Sequence, residues 1–248
     1  MPPVVIDAKG MHYTPLNQMI RRALADGAKE IVLKNVMGQR FIGDGLTGDA
    51  TITVEGVPGG DLGMFMNGLT VIVHGNADHA PGNTMDSGLI VIHGSSGDAT
   101  AHSMRGGRVY VRDDIGYRGG IHMKQYMEKR PILVIGGNAR AFLGEYMAGG
   151  LIILLRLGEE NSEAFSEMGI ASGIHGGEIY VRGEVAGWTL GVGSAARPAN
   201  SDDISSIKEY IIEFCEHFGL DSGSILASSF TRIAPVSARP FASKYTWE

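Results

Sequence analysis

Short apolar runs recur through the middle of the chain at intervals close to 19 residues. Each run is four residues long, is rich in β-branched side chains and mostly comes shortly after a glycine. Such runs predict β-strands rather than helices. A repeat near 19 residues has no room for a crossover helix, because a strand, helix and strand together take about 30 residues. The pattern predicts an all-β solenoid, a parallel β-helix with one strand in each of about seven coils. The predicted strands are 51–54, 70–73, 89–92, 108–111, 131–134, 151–154 and 178–181.

Alternation within these runs divides their side chains into two faces. Equivalent positions of successive coils stack about 4.8 Å apart in such a sheet, so each position forms a column. The outward column is mostly apolar, which predicts a further layer on the outside of the sheet. Either a C-terminal helix from Ser201 to Gly219 or a partner subunit is expected to supply that layer. One inward column is predicted to hold Ile52, Val71, Ile90, Val109, Ile132, Ile152 and Ile179, and the other Val54, Val73, Ile92, Val111, Val134, Leu154 and Val181. The outward column is predicted to hold Thr53, Ile72, Val91, Tyr110, Leu133, Ile153 and Tyr180.

Methionine marks one more column. Met66, Met85, Met104 and Met123 are 19 residues apart, and Met147 follows after 24 because a polar insertion lengthens that coil. A glycine or alanine stands three residues before each of them. Small residues are expected at corners where the backbone needs positive φ or where stacked turns come close. Methionine fills irregular gaps, so this column is predicted to be core.

These patterns predict one domain with three parts. Residues 1–30 are expected to form a strand and a helix that cap the solenoid, the helix opening at Thr14-Pro15 and stopping at Gly27. Residues 31–185 are expected to form the β-helix. Residues 186–248 are expected to form a helical segment and a tail that pack on it.

Composition limits the setting of the protein. Glycine makes up 37 of 248 residues, about twice the usual share of roughly 7%, whereas nine prolines and no three-residue period exclude a collagen. A net charge of −6 argues against a nucleic acid partner. No apolar run approaches the roughly 20 residues that span a bilayer, so no membrane association is expected. A single cysteine, Cys215, allows no intrachain disulfide and predicts a cytoplasmic protein.

Two local motifs invite a chemical interpretation. Residues 43–48 match the dinucleotide fingerprint G-x-G-x-x-G, but a predicted strand rather than a helix follows them, so we interpret them as a corner of the solenoid. His74 and His93 lie one repeat apart in an outward column that continues with Arg112 and Arg182. The positive charge of an arginine in the next coil disfavours binding of a metal cation by these histidines. We therefore expect a polar stripe that forms hydrogen bonds along the coil or to a partner.

Charged side chains interrupt the small-residue corners at several successive coils. Ion pairs between coils and a docking surface are both open as their role. No residue is predicted to be catalytic, to bind a cofactor or to ligate a metal, and Cys215 is expected to be a buried, inert thiol. The candidate interface or structural residues are Arg40, Asp44, His74, His93, Arg105, Arg118, Lys124 and Glu145.

Several longer stretches resemble the GXGXG domain of glutamate synthase, most of all the stand-alone, archaeal-type form in which the large subunit is split into separate polypeptides. The resemblance runs from about Ile31 to Arg182. It implies a right-handed β-helix that holds the catalytic parts of the enzyme together and has no catalytic residues of its own. The matching stretches are 35–46 (NVMGQRFIGDGL), 82–85 (GNTM), 104–107 (MRGG), 116–124 (GYRGGIHMK) and 142–150 (FLGEYMAGG).

The resemblance also implies partners and a role in glutamate biosynthesis and nitrogen assimilation. In that family a glutamine amidotransferase releases ammonia, and a synthase part with FMN and an iron–sulfur cluster uses it to aminate 2-oxoglutarate reductively. This chain is then expected to bind no cofactor itself, with FMN and the cluster on a partner subunit, and to form a homo-oligomer when isolated. Pro2 at the second position and the single cysteine agree, because an amidotransferase needs an N-terminal cysteine and a cluster needs several.

Departures from the family pattern leave alternatives open. They lie at residues 100–103 and in a polar insertion at 158–167. One alternative is a subunit of N-methylglutamate synthase. Another is the β-helical subunit of formylmethanofuran dehydrogenase, which shares the glycine repeat but lacks the long motifs around Arg40 and Lys124. The third is a β-helix enzyme that acts alone on polysaccharide, for which the acidic calcium ligands and the basic catalytic residue expected on one outer sheet are not evident.

Overall fold

The structure, a computed structural model, describes residues 2–158 and 164–237. Its strands are β1 Val4–Asp7, β2 Glu30–Met37, β3 Thr51–Val57, β4 Asn67–His74, β5 Ser87–Ile92, β6 Arg108–Val111, β7 Ile132–Ile135, β8 Ala148–Leu154, β9 Gly176–Arg182, β10 Ser194–Pro198 and β11 Phe230–Pro235. They form one sheet in the order β1-β2-β3-β4-β5-β6-β7-β8-β9-β11-β10. Neighbouring strands are parallel from β1 to β9, whereas β11 pairs antiparallel with both β9 and β10.

The parallel strands form one side of a solenoid. One strand falls in each coil, and a second line of contact joins Ala77, Ser96, Ile115 and Ala139 of successive coils through isolated bridges. This confirms the predicted all-β solenoid with a parallel sheet. The solenoid has about six coils, slightly fewer than the seven predicted.

The predicted inward columns form the interior of the solenoid. Ile52 and Val54 of β3 are fully buried, as are their counterparts in β4, β5, β6, β8 and β9. The five aligned methionines are also completely buried, which confirms that their column is core. Burial on this scale is the main stabilising term of the fold, since about 25 cal/mol is gained for each Å² of apolar surface removed from water.

Strand β7 differs from its predicted register by one residue. Arg108 of β6 pairs with Ile132, so Leu133 and Ile135 point into the solenoid while Ile132 and Val134 face outward. The placement of Ile132 and Val134 inward and of Leu133 outward was therefore wrong. A polar insertion precedes this strand, and its run is apolar at every position, so no alternation fixes the frame. Because side chains alternate along a strand, a slip of one residue exchanges the two faces.

Helix α2, Ser201–Phe218, covers the outer face of the sheet. Its Ile207, Ile211 and Phe214 are fully buried in a second apolar cluster with Tyr110 and Tyr180 of the outward column. The chain itself thus supplies the layer that the apolar outward column predicts. Helix α3, Ser222–Leu226, adds Ile225 to the same cluster. A short 3-10 helix, Gly187–Thr189, follows β9 and is joined to Ile170 by a backbone hydrogen bond.

The ends of α2 follow from local hydrogen bonding. Asn200, one residue before the predicted cap, accepts a hydrogen bond from the Asp203 N–H at 2.9 Å, and the Asp203 carboxylate accepts one from the Asn200 N–H at 2.8 Å. This reciprocal pair is a capping box, which satisfies two free donors at the start of a helix. Gly219 ends the helix with a φ of 65°, a left-handed conformation that glycine adopts without a steric cost.

Helix α1, Tyr13–Ala25, lies over the N-terminal end of the solenoid. Its bounds agree with the start predicted at Thr14-Pro15 and the stop predicted at Gly27. Its Leu16 and Ile20 are buried in the interior cluster with residues of β1 and β2. A solenoid needs such a cap because its last coil otherwise exposes apolar side chains.

Some predictions lie outside the described residues. These are the part of the polar insertion at 159–163 and the tail from residue 238 onward. In the part that the structure describes, no helix has both the length and the apolar character needed to cross a membrane.

Candidate functional site

The glycine-rich turns between strands repeat one backbone pattern. In the turn before β4, Asp61, Gly63 and Phe65 have φ of 62°, 68° and 54°, and the residues between them do not have positive φ. L side chains rarely adopt such angles. The equivalent positions of the other turns are Phe41, Gly43, Gly45; Ala80, Gly82, Thr84; Ala99, Ala101, Ser103; Arg118, Gly120, His122; Phe142, Gly144, Tyr146; and Gly169, Ala171, Gly173. Eight of these 21 positions are glycine, so the turns account for part of the glycine excess.

These turns are joined to one another by backbone hydrogen bonds. The N–H groups of Asp61 and Phe65 donate to carbonyls of the following turn, at 3.0 Å each, and the Gly63 N–H donates to the Ile42 carbonyl of the preceding turn at 2.8 Å. The same alternation recurs along the stack. Because these donors are already paired, they do not form a phosphate-binding loop. Residues 43–48 are accordingly followed by β3 rather than a helix, which confirms that their fingerprint marks a corner.

Side chains at the first and third positive-φ positions lie on the outside of the solenoid, whereas the middle position is buried and is filled by Gly or Ala. Large side chains stand on the first two and the later turns, and small ones occupy the two turns between them. The result is one surface of half-buried and exposed side chains, which we call the turn face. It consists of Arg40, Phe41, Asp44, Asp61, Phe65, Ala80, Asn83, Thr84, Ala99, His102, Ser103, Arg118, His122, Phe142, Glu145 and Tyr146.

A polar network crosses the first half of the turn face. Arg40 pairs with Asp61 at 3.3 Å, and the Asn83 side-chain amide donates to the Asp61 carboxylate at 3.0 Å. The Asn83 carbonyl oxygen lies 3.2 Å from Nδ1 of His102. Four side chains from four successive turns are thereby fixed relative to one another.

A second cluster holds the later turns of the face. Arg118 pairs with Glu145 at 3.2 Å, and its guanidinium lies over the Phe142 ring at 5.2 Å from the ring centre. The His122 and Tyr146 rings stack with their centroids 5.4 Å apart. Arginine and tyrosine are among the residue types that dominate binding energy at protein interfaces. This end of the face therefore has the composition of a docking site.

The structure brings six of the eight candidate residues together. Arg40, Asp44, Arg118 and Glu145 belong to the turn face. Arg40 and Arg118 form ion pairs between turns, with Asp61 and Glu145 respectively, whereas a docking role stays a prediction. Arg105 and Lys124 are exposed on consecutive turns beside it, each directly after the buried methionine of its turn. Within the described residues neither forms a salt bridge, so their positive charges are available to a partner.

Asp44 lies beside an open cavity between α1 and the first turn. The cavity has a volume of about 230 Å³ and is also lined by Tyr13, Asn17, Arg21 and Phe41. Burial raises the pKa of the Asp44 carboxyl, and the nearby Arg21 guanidinium opposes that change. Arg21 itself donates to the Asp44 backbone carbonyl, which ties α1 to the first turn.

His74 and His93 lie away from the turn face, at the far ends of β4 and β5. Their rings are 5.0 Å apart, and His93 packs edge-on against Phe218 of α2 at 5.0 Å. Burial lowers the pKa of His93, and the positive charges of His74, Arg112 and His217 lower it further. No cluster of three or more His, Cys, Asp or Glu side chains suited to a metal occurs in the described ranges.

Acidification is expected to destabilise the protein as the pH falls through and below the ordinary histidine pKa of about 6.5. The pKa values of His93 and His102 are lowered in the folded chain, chiefly by burial. The unfolded chain therefore takes up protons first as the pH falls, and the stability present above the unfolded pKa is lost toward the folded one. Urea unfolding as a function of pH checks this, and His93→Gln with His102→Gln should flatten the profile. An unchanged slope in the double variant would contradict it.

Sequence reasoning missed Asp61, Asn83 and His102 as members of the site. Asn83 and His102 occupy the same turn position as Asp44 and Glu145, two residues before the core column. Polar residues recur at that position, but their types differ from turn to turn. Polar side chains fill four of the six positions of that column, and Met64 and Ile121 fill the other two, so aligning the repeat gives a weak signal for Asn83 and His102 and none for Asp61.

Comparison with known proteins gives two results. The family model described as GXGXG motif matches residues 22–237, which include every strand from β2 to β11 and the whole turn face. The uncharacterized protein MJ1350 of Methanocaldococcus jannaschii is 58% identical to this chain, and the alignment covers 99% of this chain and 97% of that protein.

Proposed function

The chain belongs to the GXGXG motif family, and we propose that it is a non-catalytic assembly subunit of a glutamate synthase-type complex. Its partners would be a glutamine amidotransferase subunit, which releases ammonia, and a synthase subunit that carries FMN and an iron–sulfur cluster. The complex would make L-glutamate in the cytoplasm. The observation that carries the proposal is the family match over 22–237, since it takes in the solenoid as a whole.

The chemistry of Cys215 supports placing the iron–sulfur cluster on a partner. Clusters are held by several cysteine thiolates, and this is the only cysteine of the chain. It is buried in the apolar cluster beneath α2, and burial raises the pKa of its thiol to about 11. A thiol held neutral in apolar surroundings is a poor metal ligand.

The turn face is the surface that we propose for docking to the synthase subunit. Its backbone is fixed by interturn hydrogen bonds, so little conformational entropy is lost when a partner binds.

Co-purification of the three subunits tests the proposed function. The tagged chain is expected to be colourless alone. When it is co-expressed with synthase and amidotransferase polypeptides of the same organism, it should bring down a yellow-brown partner, whose flavin and cluster absorb in the visible. A chain that elutes alone in every combination would refute the proposal.

Charge reversal at the edge of the turn face tests the docking surface. The double variant Arg105→Glu with Lys124→Glu is expected to weaken synthase binding at least about tenfold, because each unpaired cation lies beside the proposed contact. Titration of labelled chain with the synthase subunit measures this. Lys208→Glu, an exposed reversal on α2, is the matched control and should bind normally. Equal binding by the double variant would place the contact elsewhere.

A further inference from the structure

The coil that follows Met123 is lengthened by an insertion. Met123 and Met147 are 24 residues apart instead of the usual 19, and the additional residues fall within 125–130, which we call the hairpin insertion. In it the Tyr126 N–H donates to the Lys129 carbonyl at 3.2 Å, and the Lys129 N–H donates to the Tyr126 carbonyl at 3.0 Å. These two bonds close a β-hairpin with two residues at its tip.

The tip of the hairpin insertion exposes two large side chains. Tyr126 is 60% exposed and Met127 is 75% exposed. Met127 also has a φ of 51°, in a two-residue hairpin where glycine is the usual residue with positive φ. Within the described residues, no backbone hydrogen bond between coils holds Met127 in this conformation, in contrast to the turn face. An exposed and strained methionine costs the isolated chain stability, which indicates a role other than folding.

The neighbouring coils fix the position of the hairpin insertion. The Lys129 side chain crosses Gly106, where a methyl group would lie 3.3 Å from the Lys129 Cβ atom, and pairs with Asp86 of the coil beyond. On the other side, a methyl group on Gly149 would lie 2.5 Å from the Cβ atom of Gln125. Two glycines thus make room for the hairpin. Because its shape is set before a partner arrives, little conformational entropy is lost on binding.

The charges around the tip favour an acidic partner. Lys124 leads directly into the hairpin, and Arg105 precedes the glycine that Lys129 crosses. Over the described ranges, neither Lys124 nor Arg105 forms a salt bridge. Lys129 and Arg130 already pair with acidic side chains of this chain. Glu128 forms no salt bridge in the same ranges, so the unpaired charges are two cations and one anion, and their sum is positive.

We propose that the hairpin insertion anchors the synthase subunit, with Tyr126 and Met127 in an apolar pocket that has an acidic rim. This inference rests on the proposed function and names the chemistry of the partner surface. Tyrosine and methionine are enriched at protein interfaces, and a few well-buried side chains supply most of the binding energy there. Acidic groups on the rim would pair with Arg105 and Lys124.

The synthase subunit is the partner that continuity of the surface favours. Lys124 is two residues from His122 of the turn face, a distance of at most about 7 Å along the chain. A subunit docked on the turn face therefore also reaches the hairpin insertion.

The variant Met127→Asn separates binding from folding. Asparagine tolerates positive φ better than methionine, so we expect a wild-type circular dichroism spectrum and no loss of thermal stability. The affinity for the purified synthase subunit should fall at least about tenfold, because the tip no longer fills an apolar pocket. Isothermal titration calorimetry measures this affinity. Met37→Asn, the same change at a methionine of β2 that is 86% exposed, is the matched control and should bind normally.

Salt concentration separates the apolar anchor from its charged rim. The Debye length falls from about 10 Å at 0.1 M salt to about 3 Å at 1 M. The affinity lost by Arg105→Glu with Lys124→Glu, relative to the wild type at the same salt concentration, should therefore shrink at 1 M salt. The loss caused by Met127→Asn should persist there, and a loss that disappears at 1 M would overturn the apolar pocket.

The remaining outcomes distinguish this inference from the proposed function. Equal binding of the synthase subunit by Met127→Asn and the wild type would overturn the anchor and leave the proposed function standing. So would a variant that loses affinity for the amidotransferase subunit and keeps its affinity for the synthase. A wild-type chain that binds no synthase subunit would refute the proposed function, and the anchor with it.

Discussion

Replacement of Gly88 by alanine is expected to lower the free energy of unfolding by about 3–5 kcal/mol. A methyl group there would lie 2.3 Å from the carbonyl oxygen of Leu69 in the preceding coil. The φ of Gly88 is 108°, outside the range that L residues adopt readily. The nearest atoms that this methyl group would meet, in Gly68 and Leu69, all belong to the backbone, so no side chain can rotate to relieve the contact. The two coils must separate, which disrupts the hydrogen bonds between β4 and β5.

Gly45→Ala is the matched control for that experiment. Gly45 also has positive φ, 59°, but a methyl group there would have no atom within 4 Å. Only the conformational cost of about 1 kcal/mol is expected. Ala101 and Ala171 already adopt φ of 60° and 57° in this chain. Urea unfolding followed by far-ultraviolet circular dichroism compares the two variants. Equal losses of stability would show that close approach between coils does not account for Gly88.

The fold was largely predictable because the repeat is regular over most of its length. A constant interval of 19 residues aligns the strands without any knowledge of the turns, and six of the seven strands are assigned to the correct face. The exception, β7, follows a coil of different length and is apolar on both sides, because α2 covers its outer face. Where both faces of a strand are buried, hydrophobicity alone contains no information about register.

The turn face was harder to predict from the sequence than the fold. Charged residues such as Arg40 and Arg118 stand out among small ones, and they do lie on it. The link between Asp61, Asn83 and His102 depends on three residues about one coil apart that share no chemical type. His93 lies apart from the turn face because the histidine column is at the ends of the strands, where His93 packs against α2. Such relationships depend on how the coil closes in three dimensions, which the spacing of the repeat does not specify.

The second large effect is expected for Phe214→Ala, which should cost about 3–5 kcal/mol. Phe214 is fully buried between α2 and the sheet. Its ring packs edge-on against Tyr110 with centroids 6.0 Å apart. It also lies directly on the backbone at Gly136, where a methyl group would be 2.9 Å from the Phe214 Cζ atom. Truncation leaves a cavity that the rigid sheet beneath it cannot fill.

Phe218→Ala, one helical turn further along α2, is the matched control. Its ring is only partly buried and contacts His93 and Phe214, so a loss of about 1 kcal/mol is expected. Denaturant unfolding ranks the two variants, and the proposed packing is wrong if Phe218→Ala is the more damaging.

Hydrogen exchange of Phe214→Ala distinguishes loosening of the outer layer from unfolding of the solenoid. The Glu213 carboxylate still accepts hydrogen bonds from Arg108 at 2.8 Å and from the Tyr110 hydroxyl at 2.7 Å, but these polar contacts do not replace the lost apolar burial. Amides of α2 and β11 are expected to lose protection first. Those of β3, which pack only in the interior cluster, should keep it, because nearest-neighbour contacts stabilise a solenoid coil by coil. Simultaneous loss of protection in α2 and β3 would instead show that the layer and the solenoid unfold as one unit.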